Sequence, residues 1–191
     1  AEKARKQSDR DNRAANQKHI KSELDRINQQ ALSSVKSLNT SLGQADRSLD
    51  AAEREYKENV YSYFWREIEH VVQHLGTYKS TIDSIKVSAQ NYKNLSAQYE
   101  GAAPPFAVTS STLSGVKKVD ATMHRMDMVV RRALKQSDFA YIYEQRRTSS
   151  ILVAGFANLA QALDQMSSSI SSSISGLSSS IEGVGRELSL R

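Results

Sequence analysis

The side chains of this sequence whose types and spacing could do chemistry gather first around Glu67, His70 and His74. Glu67-Ile-Glu-His70 has the Glu-x-x-His spacing with which di-iron bundles hold metal. His70 and His74 stand one helical turn apart, a spacing that can grip zinc if further ligands converge. Di-iron chemistry needs a second such pair, and neither His19 nor His124 has an acidic residue three positions before it. No third zinc ligand is identifiable. The chain has no cysteine, which excludes thiolate metal sites and disulfides. Gly183-Val-Gly185 is too little for a phosphate loop, and no Ser/His/Asp arrangement is apparent. The reading is a non-enzymatic protein with no catalytic residue, no metal and no cofactor, its histidines solvated or flanking a core.

Two further groups could bind rather than react. Tyr61-Ser-Tyr-Phe-Trp65 is the densest aromatic cluster and covers more than one face of a helix, so a single seam cannot bury it. Contacts to a second copy or another helical protein are expected there and at the apolar run Ile151–Leu163, with Tyr61, Phe64, Trp65, Phe156, Leu159 and Leu163 the contact candidates. Ile170, Ile174 and Leu177 extend that set. The second group is a basic strip of Lys117, Lys118, Arg125, Arg131, Arg132 and Lys135, a candidate contact for an anionic surface, partly neutralised by Asp120, Asp127 and Asp138. Base-reading and RNA-binding motifs are absent, so no specific nucleic acid is expected.

The elements that must position these groups are helices. Only 8 Gly and 2 Pro occur in 191 residues, the prolines are adjacent, and an all-β or α/β chain would need far more turn residues. From Ile20 to Tyr99 apolar residues recur at alternating three and four, the seam of a coiled coil. The rhythm resumes at Leu113 and runs to Leu188. Gly101 and Pro104-Pro105 interrupt it. Residues 167–181 hold ten serines yet keep Ile170, Ile174, Leu177 and Ile181 in step, which favours a packed helix over a flexible linker.

The fold class expected is all-α: a long antiparallel helical hairpin or coiled coil, assembled into an elongated multi-helix bundle. Residues 1–19 read as a basic helical extension, 20–100 as the first arm, 101–110 as a Pro-Pro corner and 111–190 as a second arm with a Ser-rich end. Pivoting on residue 106 sets Tyr56–Trp65 opposite 147–156 and the Ser-rich end opposite 32–45. Gly43 and Gly76 are candidate bends.

The net charge of +5 comes from 26 basic and 21 acidic residues, with the excess at the N-terminus and after the corner. It favours anionic surfaces mildly. No run of about 18 apolar residues occurs, so no single helix spans a bilayer. The function expected is structural, a coiled-coil scaffold or assembly element working through helix–helix oligomerisation with itself or another helical protein. The alternative is a membrane-surface module, since Tyr56–Tyr99 has a texture loosely similar to elongated basic helical dimers of the BAR type. A helical pore-former exposing residues 151–163 ranks third. A cytoplasmic location is expected, with membrane association, or a tether before Ala1, as the alternative; a removed signal peptide would also explain the Ala1-Glu2 start.

Overall fold

The computed structural model describes residues 2–113, 119–148 and 152–189. They form five helices: α1 (Glu2–Lys57), α2 (Tyr61–Ser96), α3 (Val119–Leu134), α4 (Ser137–Arg147) and α5 (Leu159–Ser189). The chain is an all-α bundle.

α1 and α2 are the frame. The Arg13 guanidinium bonds Glu100 at 2.7 Å and the Gln17 amide donates to the Gln98 carbonyl at 3.2 Å, while the other ends of the two helices meet in a three-residue turn, so the pair is antiparallel. The apolar stripes found in the sequence line their contact: Ile20, Leu24, Ile27, Ala31, Leu38, Leu42, Ala45 and Leu49 from α1, Ile68, Val71, Leu75, Ile82 and Ile85 from α2. The chain therefore reverses at residues 58–60, and Pro104-Pro105 is not the pivot of two equal arms. Asn59 sits at φ 58°, its N–H bonds the Tyr56 carbonyl at 3.2 Å and the Val60 N–H bonds the Glu55 carbonyl at 2.9 Å. This is a Schellman cap with Asn, the residue after Gly most tolerant of left-handed backbone, in the glycine position.

α2 ends at Ser96, and Gly101, at φ 128°, turns the chain beyond it rather than capping it. The segment that follows runs back beside α1. Tyr92 donates its hydroxyl proton to the Pro104 carbonyl, Phe106 stacks against Tyr92 at 5.2 Å, and the Asn28 side chain bonds the Pro105 carbonyl and the Ala107 N–H at 3.2 and 2.8 Å. Thr109 and Thr112 exchange side-chain and backbone bonds in one tight turn. α3 then continues in the direction of α1: Thr122 bonds Asp46 at 2.7 Å, Arg125 bonds Asp50 at 2.6 Å and Gln136 bonds the Tyr56 hydroxyl at 2.7 Å.

The apolar run Ile151–Leu163 is not one helix, and Ile151 itself lies outside the described residues. Val153 and Phe156 pair across a two-residue turn, Ala154 at φ 51° and Gly155 at φ 86°. Two positive φ values in succession define a type I′ turn, which a helix cannot accommodate. Asn158 then caps α5, its Oδ1 accepting the Gln161 N–H at 3.0 Å while Gln161 Oε1 accepts the Ala157 N–H at 2.7 Å.

The Ser-rich end is helical and packed, with Ile170, Ser173, Leu177 and Val184 buried. Its neighbour is α2, not residues 32–45: Gly176 lies over Lys86, and Lys93 pairs with Glu187 at 3.4 Å, so the two helices run parallel. Gly43 and Gly76 lie inside unbroken helices. At Gly76 the missing side chain is used, because a Cβ there would stand 2.8 Å from the Ala154 Cβ.

Candidate functional site

Three helices, α1, α2 and α4, meet at the aromatic cluster. Phe139 of α4 inserts between α1 and α2, its ring 5.0 Å from Tyr56, 4.7 Å from Tyr61 and 5.1 Å from Phe64. Trp65 packs edge-on to Phe64 at 4.8 Å and against Tyr143 at 5.0 Å, and its indole N–H donates to the Phe139 carbonyl at 2.8 Å. Arg146 closes the far end on Glu69 at 2.5 Å. Burial pushes the Tyr143 phenol up, and the Tyr61 phenol is raised chiefly by its hydrogen bond to Asp138.

These aromatics, expected to contact a second chain, are packed within this one. Phe64 and Trp65 are fully buried by α4, a short helix whose one buried residue is Phe139. Leu159, Ile170 and Leu177 are buried against the rest of the same chain, and Tyr61, Phe156, Leu163 and Ile174 are half-buried on that core. All nine contact candidates thus pack on the chain's own core. Phe139 was missed because Tyr141, two residues on and exposed, fits the three-four spacing after Leu134 and Phe139 falls out of step with it.

The basic strip divides. Lys117 and Lys118 lie outside the described residues. Arg125 is engaged within the chain: it bridges Asp50 at 2.6 Å and Glu53 at 3.1 Å, and its pKa is raised first by the Glu53 bond and then by that of Asp50. Arg131 and Arg132 are exposed on the last turn of α3 and Lys135 just beyond it. Arg131 meets Asp127 at 2.8 Å, and the Arg132 guanidinium lies 6.0 Å from the Tyr56 ring centre.

The histidines stay apart from any ligand set. His70 Nδ1 lies 3.3 Å from Glu67, while burial first, then His70 and Arg47, lowers the pKa of His74. Among the described residues no group of three or more His, Asp or Glu side chains could hold a metal ion. A cleft of about 510 Å³ separates α3 from α5, floored by Met123, Met126 and Leu163 and rimmed by Asp120, Asp164 and His124. None of the described helices is long and apolar enough to cross a membrane. Comparison with known proteins returned no matching family model, no matching curated protein and no matching solved structure.

Proposed function

We propose that the chain is a non-enzymatic helical scaffold, a stiff spacer that carries helix–helix contacts at a fixed separation. The observation behind this reading is α1. It runs unbroken for 56 residues, about 84 Å at 1.5 Å per residue. Its first turns project past the end of α2, since Arg13 and Gln17 already meet the residues that follow α2. Residues 2–16 are exposed and carry Lys3, Arg5, Lys6, Arg10 and Arg13 against Glu2, Asp9 and Asp11, with Lys6 pairing Glu2 at 2.6 Å one turn away. A helix of that composition has no core to join in this chain and is free to lie along another helix. Partners, itself included, are expected at this extension and on outer faces, because the seam is consumed internally.

The absence of cysteine makes the test direct. Spin labels at Arg10→Cys and Arg47→Cys, both exposed, are separated by 37 residues, roughly 55 Å along a continuous helix. A narrow distance distribution at that value is expected, together with a mass above the monomer by light scattering that falls when residues 2–12 are deleted. A broad or shortened distribution would sink the spacer. A monomer at all concentrations would remove self-association from it.

A further inference from the structure

Most outward side chains of the bundle are polar, and large apolar ones are exposed at a few places, two of them in the last two turns of α3. Met128 is 48% exposed and Leu134 37% exposed, two of the few large apolar residues left uncovered. Together with Arg131, Arg132 and Lys135 they line a shallow hollow of about 480 Å³. Met128, Arg131 and Arg132 follow the i, i+3, i+4 spacing that sets side chains on one helix face, and Lys135 follows directly after the end of α3, its N–H bonded to the Arg132 carbonyl at 3.3 Å. Leu134 lies beside Arg131 one turn on. The opposite face, with Met126, Val129, Val130 and Ala133, is buried in the core. α3 is therefore anchored along one side while its outer side offers apolar groups ringed by cations.

The nearby acids cancel part of that charge: Asp127 pairs with Arg131 at 2.8 Å, and Asp138, which accepts the Tyr61 hydroxyl, stays anionic, so the net positive charge of this face rests on Arg132 and Lys135. The Arg132 guanidinium lies 6.0 Å from the Tyr56 ring centre, and Arg132 and Lys135 are both exposed. Apolar side chains at the level of acyl chains with cations at the level of phosphates are what a helix lying in the plane of a bilayer presents. The hollow is open and sits on a convex helix, which suits a surface better than a small enclosed ligand.

We propose that this face of α3 docks on the surface of an anionic bilayer, with Arg132 and Lys135 meeting lipid phosphates and Met128 and Leu134 entering the interface. The site is local to α3 and stands apart from the scaffold reading.

Sedimentation of the full chain with phosphatidylcholine vesicles containing phosphatidylglycerol tests it. Binding is expected to rise with phosphatidylglycerol, to fall with salt and to be absent on phosphatidylcholine alone. Each cation near such a surface is worth about a factor of five, so Arg132→Gln with Lys135→Gln is expected to weaken binding roughly 25-fold. Met128→Ser with Leu134→Ser is expected to weaken it as well, and soluble glycerol phosphate is expected not to displace the chain. All four side chains are exposed, so the variants fold, which the emission of Trp65 checks. The proposal is overturned if the unmodified chain does not sediment with anionic vesicles, binds phosphatidylcholine equally, or is matched in affinity by either double variant.

Discussion

Replacing Phe139 with alanine tests whether one side chain closes the aromatic end of the bundle. α4 has 11 residues, of which Phe139 alone is buried, and beyond that it is tied down by the Trp65–Phe139 hydrogen bond, the Trp65–Tyr143 ring contact, the Tyr61–Asp138 hydrogen bond and the bonds of Arg146 to Glu69 and the Ser62 carbonyl. Truncating a core phenylalanine costs about 3–5 kcal/mol in transfer and cavity terms together. The ring pairs with Tyr56, Tyr61 and Phe64 are part of that sum and are not added to it. The retained hydrogen bond contributes about 1 kcal/mol, and the ion pair, at 27% and 24% side-chain exposure, about 1 kcal/mol or less. Each remaining tie is smaller than the loss.

The expected result is consequently local. α4 undocks, while α1 and α2, which share their own seam, stay folded. The single tryptophan reads this out, since Trp65 passes from full burial to partial contact with water. Its emission should shift to the red in buffer without denaturant, far-UV circular dichroism should fall only by the share of one short helix, and the urea midpoint should drop. Phe139→Leu, which keeps most of the volume, should recover most of both signals. An unchanged native emission with less than about 1 kcal/mol lost would refute the role assigned to this ring.

Gly76→Ala should destabilise the fold by about 1–3 kcal/mol through overpacking on Ala154. The same change made with Ala154→Gly should be stabilising, because it gains helix propensity and relieves the positive φ at Ala154; a thermal double-mutant cycle measures the coupling. Acid should weaken the fold through His74: its folded pKa lies below the ordinary value, so the unfolded chain binds the proton first. The contribution of the neutral imidazole is complete above about pH 6.5 and is lost as pH falls through that value toward the folded pKa, and His74→Gln should flatten the slope of stability between pH 7.5 and 5.5. Asn59→Val should cost about 1–2 kcal/mol by forcing a β-branched residue into left-handed backbone, whereas Asn59→Gly should be neutral or better by urea denaturation.

The helical class, the two apolar stripes and the packed Ser-rich helix were legible because each rests on periodicity, and periodicity survives without knowledge of the partner. Ile170 and Leu177 are buried as that rhythm implies, and Ser173 faces inward on the same side. The pivot was not legible. Pro104-Pro105 is a louder signal than Asn59, but a proline pair only shows where a helix cannot continue, not where the chain reverses. At 58–60 the spacing Ala52, Tyr56, Val60, Phe64 and Ile68 runs through the turn in steps of four, so no phase break shows. Ile151–Leu163 misled for the converse reason: its composition suits a buried helix, while the backbone is decided by Gly155 and by the Asn158–Gln161 cap.

The misplaced pivot also explains why the contact candidates turned inward. A two-helix rod leaves Phe64 and Trp65 without enough neighbours, and a second copy is the simplest remedy such a picture offers. With the reversal at Asn59, the end of the hairpin is short-looped and open on its side, and α3 and α4 arrive there from the same chain. Trp65 then finds a backbone carbonyl as well as rings, a pairing that a symmetric partner would have to supply from an equivalent position. Burial of a large aromatic with a satisfied N–H is complete without a second molecule. The two surfaces proposed above for other molecules are of the opposite kind: the charged extension of α1, with no apolar seam of its own before Ile20, and Met128 and Leu134 of α3 with the cations beside them. Both favour contacts that salt weakens, which separates them from a conventional coiled-coil interface, whose apolar seam salt strengthens.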